Sequence, residues 1–213
     1  MKKNYFQLFL TCLTVTVSIV PLFMFSSCGS DDNPSSTEKA ISNLFAGSDL
    51  VERKWESECK GSQFFGASSK RRYEFKGSGF EEIVLLHEDA DCKTLSGTIT
   101  YEGEYQVSSN QLNNETKDIK FEYSKVRATP HTQKAVDELN AIKLCEHTDW
   151  GLDKEIDLTN TSDNIICPVK KTPNIKYNLF IIDGNNLFLG KNDVDTEGER
   201  AIEVDRDNPY HKL

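Results

Sequence analysis

His87-Glu88-Asp89-Ala90-Asp91 begins as the H-E-x-x-H zinc motif does, in which two histidines one helical turn apart hold the metal and the glutamate acts as base. Asp91 stands where the second histidine should be, and the segment follows a strand-like run, so a solvated acidic turn is expected there. Asp193-Val194-Asp195-Thr196-Glu197-Gly198 has the alternating oxygen ligands and the glycine with which a calcium loop opens. Its third acid is Glu197, and Val204 occupies the place of the closing bidentate glutamate, so a plain acidic loop is the expectation. No G-x-S-x-G elbow occurs, Gly77-Ser78-Gly79 being too short, and His131, His147 and His211 have no sequence neighbours that suggest a triad. Cysteine is the remaining reactive type. The chain has six, none in a C-x-x-C pair, which removes the spacing of zinc ribbons and of thioredoxin-like redox sites. These motifs call for no catalytic residue, no metal and no cofactor.

The chain opens with Met1-Lys2-Lys3-Asn4 and then runs without charge to Phe25, the basic-then-apolar order of a secretory signal. The run ends in Phe25-Ser26-Ser27-Cys28-Gly29, which resembles the lipobox of bacterial lipoproteins, with Phe25 where leucine is usual. That resemblance implies cleavage before Cys28, a diacylglycerol on its sulfur, and a further acyl chain such as palmitate on its amino group. Each buried CH₂ contributes about 0.8 kcal/mol, so two or more chains anchor a protein durably where one does not. Gly29-Ser30-Asp31-Asp32-Asn33-Pro34-Ser35-Ser36 then reads as a flexible tether. Its Ser30-Asp31-Asp32 stretch is similar to the export tags of surface lipoproteins in some Gram-negative bacteria. An uncleaved spanning anchor is the competing reading, since roughly twenty apolar residues cross a bilayer. The expected division is 1–27 signal peptide, 28–36 lipidated cysteine and tether, and 37–213 a single β-rich domain, lipid-anchored, outer membrane before inner, in the periplasm or at the cell surface.

Lys2 and Lys3 lie in the leader, so the remaining 186 residues carry 23 basic and 34 acidic side chains, a formal net charge of −11. Such a surface repels nucleic acid and anionic lipid headgroups and keeps the domain soluble. With Cys12 in the leader and Cys28 lipidated, four cysteines remain for an oxidising compartment: Cys59, Cys92, Cys145 and Cys167. Three connectivities are open. Cys59–Cys92 with Cys145–Cys167 is preferred, because each bond then closes a local loop, worth on the order of 3 kcal/mol in the chain-entropy model.

The elements that position these residues follow from periodicity. Ser35-Ser36-Thr37-Glu38 has the form of a capping box, and Ala40, Ile41, Leu44 and Phe45 continue at helical spacing. Val51, Arg53, Trp55, Ser57 and Cys59 then share one face of a first strand. Residues 71–76 and 80–87 flank Gly77-Ser78-Gly79 as a hairpin, and residues 97–107 and 119–126 alternate clearly. Strand one up, two down and three up places Cys59 and Cys92 at one rim. Lys70-Arg71-Arg72 reads as an exposed strand start. Thr129-Pro130 reads as a helix N-cap with proline at the first helical position, followed by a stripe of Ala135, Val136, Leu139, Ile142 and Lys143. A strand is expected within 150–158 and a hairpin around Asp183-Gly184-Asn185-Asn186, bringing the count to about eight. The acidic tail from Asp193 is expected to wrap the surface or fray.

An antiparallel meander of about eight strands, with a tryptophan on the first and a short helix before it, resembles a lipocalin-like barrel or strongly curved sheet. Arg53-Lys54-Trp55 stands where lipocalins carry Gly-x-Trp, and a helix between strands five and six is foreign to them. The chain is also similar to small bacterial lipoproteins with Trp55-Glu56-Ser57-Glu58-Cys59, Thr148-Asp149-Trp150 and Ile182-Asp183-Gly184-Asn185 motifs, a likeness that implies no activity. Trp55 and Trp150 are expected as core residues rather than ligand contacts. The lipocalin resemblance implies a non-enzymatic, membrane-anchored module binding a small apolar ligand in a continuous cavity. The alternative is a surface protein-interaction module, adhesin or inhibitor, with a filled core and working loops near 60–70, 108–118 and 159–175. An unrecognised hydrolase is the second alternative.

Overall fold

Large apolar side chains recur at every second residue, a period that buries one face of each strand. In the computed structural model this closes the strands into a ring. The structure describes residues 49–62, 66–109, 115–161, 167, 169 and 172–213. The helix expected near residues 38–45, the tether and Cys28 lie outside the described residues. Ten strands follow in chain order: β1 (Arg53–Ser57), β2 (Lys60–Gly61), β3 (Ser68–Lys76), β4 (Gly79–His87), β5 (Leu95–Ser109), β6 (Lys117–Pro130), β7 (Ile156–Asp157), β8 (Asn174–Asp183), β9 (Asn186–Leu189) and β10 (Tyr210–Lys212). A helix, α1 (Gln133–Ile142), stands between β6 and β7.

Eight strands form a closed antiparallel barrel in the order β1-β3-β4-β5-β6-β8-β9-β10, and β10 returns to β1. Apart from short β2 and β7, which pair with β3 and β6, each strand lies beside its successor, an up-and-down meander as expected. The β3–β4 and β8–β9 hairpins turn through Gly77 and Gly184, at φ 56° and 60°, where a side chain would be strained. A bulge shifts the register at Glu102/Gly103, where a Cβ on Gly103 would come within 2.0 Å of the Glu122 carbonyl oxygen.

Register places Trp55, Tyr73, Phe75, Phe80, Tyr105 and Phe121 on the inward face, where they fill the barrel axis. Ring centroids lie 4.8 Å apart for Phe80–Phe121, 5.0 Å for Phe75–Tyr105 and 5.3 Å for Tyr73–Tyr210. Such pairs add roughly 0.5–1.5 kcal/mol each beyond area burial. Trp55 is fully buried in this stack, as expected of a core residue.

The expected helix start needs correction. Thr129 and Pro130 belong to β6, opposite Thr98 and Gly97, and the helix N-cap is Thr132, whose Oγ1 accepts from the Ala135 amide at 3.2 Å. Pairing with β5 keeps the backbone extended through Pro130, so the helical turn that a cap serves begins only after Thr132. Along the helical stripe Val136 is buried, but Ile142 is 49% exposed. The strand expected within 150–158 is the short β7, which pairs with Ala128 and Arg127 of β6 but lies outside the eight-stranded ring. The tail wraps β8, the first of the two outcomes expected, through bridges Tyr177–Val194 and Gly190–Val204 and an Arg200–Asp118 ion pair. Its Tyr210–Lys212 segment is the strand that closes the barrel.

Candidate functional site

The barrel axis is blocked by aromatic rings, yet β4, β5 and β6 continue past them and carry an apolar face beyond the blocked zone. Leu86, Ile99 and Ala128 share the inward face with Phe80, Tyr101 and Val126. They form one wall of a recess of about 390 Å³, whose opposite wall is Leu139 of α1 with Leu144 and Trp150. This volume falls near the small end of the roughly 300–1,000 Å³ usual for small-molecule sites. Among the described residues the lining is mainly apolar, with Glu88, Lys134 and Glu138 as its charged members.

The cover is fixed locally. Thr132 caps α1 and donates its hydroxyl to Glu88 Oε1 at 2.7 Å, tying the helix start to the end of β4. Asn140 holds the Trp150 backbone from both sides, its Nδ2 donating to the Trp150 carbonyl at 3.0 Å and its Oδ1 accepting from the Trp150 amide at 3.1 Å. The Cys145–Cys167 disulfide ties the segment after α1 to the one before β8, and Cys59–Cys92 closes the rim beside β1 and β4. Both are the connections expected. Trp150 is 4% exposed, and its indole Nε1 has no hydrogen-bond partner among the described residues.

A second, polar recess of about 790 Å³ opens beside Arg71, Lys176, Asn178, Asp193 and Tyr210. Here Arg71 departs from expectation: it faces inward, while its neighbours Lys70 and Arg72 point outward to Glu56 at 3.0 and 2.7 Å. Arg71 Nε lies 3.2 Å from Oε1 of Glu82, a carboxylate that is 0% exposed although the Arg71 side chain is 39% exposed. Tyr123 donates its hydroxyl to Glu82 Oε2 at 2.7 Å. The Glu82 charge raises Arg71 well above its ordinary pKa, whereas burial first, and Glu82 second, raise the Tyr73 and Tyr123 phenols well above theirs. Polar groups of the recess engage one another: Lys176 pairs with Asp195, and Asn178 donates to Asp193 at 2.6 Å.

The calcium-like loop is used up the same way, since Asp193, Asp195 and Glu197 are engaged by Asn178, Lys176 and Arg200. In the zinc-like run, His87 ends β4 buried, Glu88 accepts from Thr132, and Asp89 accepts from the Asp91, Lys93 and Thr94 amides at 2.6–3.0 Å. Those amides, Lys93 first, hold the Asp89 pKa down at about 2. No cluster of three or more metal-ligating side chains occurs among the described residues.

One constellation escaped the sequence. His131 Nε2 lies 3.3 Å from Thr98 Oγ1, and its Nδ1 lies 2.7 Å from Asp153 Oδ1, the order of a hydroxyl–imidazole–carboxylate triad. Spacing could not reveal it, because 33 and 22 residues separate the partners and strand register joins them. Thr98 and Thr129 alternate with Ile99 and Ala128 along β5 and β6, and both also border the apolar recess. Among the described residues no helix is long and apolar enough to cross a membrane.

Fold and recess together define a closed eight-stranded antiparallel β-barrel with a filled axis and a helix-covered apolar recess beside its mouth. No protein-family model matches the chain, and no curated protein matches it either.

Proposed function

We propose that this chain is a membrane-anchored, extracytoplasmic lipoprotein whose barrel binds a small apolar molecule without catalysing its conversion. The observation that carries the binding half is the recess of about 390 Å³ under α1, walled by Leu86, Ile99, Ala128, Leu139 and Leu144. Water in such a space has few polar partners, so an apolar occupant gains by replacing it. The anchoring half rests on the leader and the Ser26-Ser27-Cys28 sequence. The test is expression with the native leader in a Gram-negative host, comparing wild type with Cys28→Ala. The wild type is expected in membranes and acylated, and purified under native conditions it should release a stoichiometric small molecule on denaturation. Unchanged processing and membrane retention of Cys28→Ala would remove the anchor. A wild-type protein that releases nothing and takes up no apolar probe would remove the binding.

Two other readings each have one observation behind them. The aromatic-filled axis favours a surface protein-interaction module, for which affinity capture would return a protein partner independent of recess substitutions. The Thr98–His131–Asp153 row favours a hydrolase, for which turnover of an activated ester would disappear in both Thr98→Ala and His131→Ala.

A further inference from the structure

We infer that the chain carries a second binding site, for the dianionic phosphate monoester of a small polyol, in a recess of about 370 Å³ at the seam where the barrel closes. β1 pairs with β3 only as far as Glu56 opposite Arg72, after which β2 takes its place with Lys60 opposite Ser69. Between the two stretches the Ser57 hydroxyl, not a backbone carbonyl, accepts from the Arg71 amide at 2.9 Å, and Ser57 is flanked on its other side by Tyr210 of β10. The recess opens at this gap in the ladder. Arg71, Lys191, Asn208 and Tyr210 border both it and the larger polar recess, whereas it shares no described lining residue with the recess under α1.

Its charge is the reverse of the whole domain's. Among the described residues four cations line it, Lys60, Lys70, Arg71 and Lys191, and no carboxylate does. Two of them are already compensated, Arg71 by Glu82 at 3.2 Å and Lys70 by Glu56 at 3.0 Å. Lys60 is bonded instead to the neutral amide oxygen of Asn208, and Lys191 makes no ion pair among the described residues. Lys191 also borders recesses that hold Asp193, Asp195, Asp205 and Glu203, but Asp193 and Asp195 are engaged by Asn178 and Lys176, and Asp205 accepts from Asn208 and the Asp207 amide. Two uncompensated charges thus remain on exposed side chains, beside a guanidinium that is itself 39% exposed, so all three are open to an entering group. A phosphate monoester brings close to two negative charges at neutral pH and three strong acceptor oxygens, where a carboxylate brings one charge. A cleft focuses such a local field, so a net charge of −11 spread over the domain does not cancel it. The neutral lining groups, Ser57, Ser69, Asn208 and Tyr210, supply hydroxyls and an amide, the partners of a polyol and not of an apolar body. At about 30 Å³ for a water-sized group, a recess of about 370 Å³ holds roughly a dozen non-hydrogen atoms, room for the phosphate monoester of a three-carbon polyol.

The experiment titrates the full chain, in non-ionic detergent micelles and phosphate-free buffer at neutral pH, with glycerol 3-phosphate by isothermal titration calorimetry. Saturable binding is expected, roughly tenfold tighter than for D-glycerate, which keeps the hydroxyls but carries one charge, and roughly tenfold tighter than for inorganic phosphate, which lacks the polyol. Lys60→Gln and Lys191→Gln should each weaken binding of the ester about tenfold, while Lys125→Gln, which removes a charge from β6, should leave it unchanged. Both lysines at the recess are exposed, and the thermal midpoint of each variant serves as the check on folding. Absence of saturable binding, equal affinity for D-glycerate, or an affinity that survives Lys60→Gln and Lys191→Gln would overturn the inferred site. Inorganic phosphate binding as tightly as the ester would overturn the polyol ester as its occupant. None of these outcomes bears on the apolar recess, which is lined by other residues.

Discussion

Arg71 and Glu82 form an ion pair with unequal access to water. Glu82 cannot reach solvent, whereas the guanidinium is 39% exposed and can turn outward if its partner is lost. Removing one member of a buried pair is expensive when it strands the other's charge. Arg71→Leu is therefore expected to cost about 3 kcal/mol in urea unfolding, the low end of the range because the arginine is partly solvated. Glu82→Gln retains an acceptor for the Tyr123 hydroxyl and should cost about 1 kcal/mol. The reverse ranking would mean that the arginine, not the carboxylate, is the trapped group. His87 gives a pH-dependent counterpart. Burial lowers its pKa, so the folded state binds fewer protons than the unfolded state as pH falls through about 6.5. Its contribution is complete above that pH and is lost on the way down to the folded pKa. His87→Gln should flatten the decline in thermal midpoint between about pH 7 and 5. Asp89, held at about 2 by backbone amides, loses its contribution only below about pH 4, so the two windows separate in one titration.

Among the elements, the cover of the recess is the one whose integrity depends most on a covalent bond. Joining Cys145 to Cys167 across a separation of 22 residues stabilises the fold by about 3 kcal/mol in the chain-entropy model. The double variant Cys145→Ser/Cys167→Ser should lose about that much in denaturant unfolding and give faster amide exchange in α1 and residues 144–158. Protection that falls equally throughout the barrel would refute local control of the cover. The strands themselves were legible, because alternation over nine or more residues in β3 to β6 leaves few alternatives. Shorter signals misled. Thr129-Pro130 carries the chemistry of a helix start, yet tertiary pairing with β5 outweighed that local preference. Arg71 looked like surface charge because nothing near it in sequence announces Glu82, which faces it from the next strand.

At the scale of the whole molecule, closure was the least legible property. The disulfide pairing followed from loop spacing, but the eight strands expected included 150–158, outside the ring, and left out Tyr210-His211-Lys212, three residues without alternation that only their neighbours make a strand. The recess was equally hidden, since it arises where three strands outrun the aromatic plug and a helix folds over them. Trp150 illustrates both halves of the matter: it was expected in the core, where it lies, but its border on the recess depends on Asn140 holding its backbone. Because the first and last strands are hydrogen-bonded partners, with Trp55 opposite Lys212 and the Leu213 amide donating to the Lys54 carbonyl, the barrel's two ends lie side by side. The order in which the strands are synthesised is then separable from the fold. A circular permutant that links residue 213 to residue 49 through a short glycine-serine bridge and begins at Asn185, in the tight turn after Gly184, should recover the same circular dichroism and both disulfides.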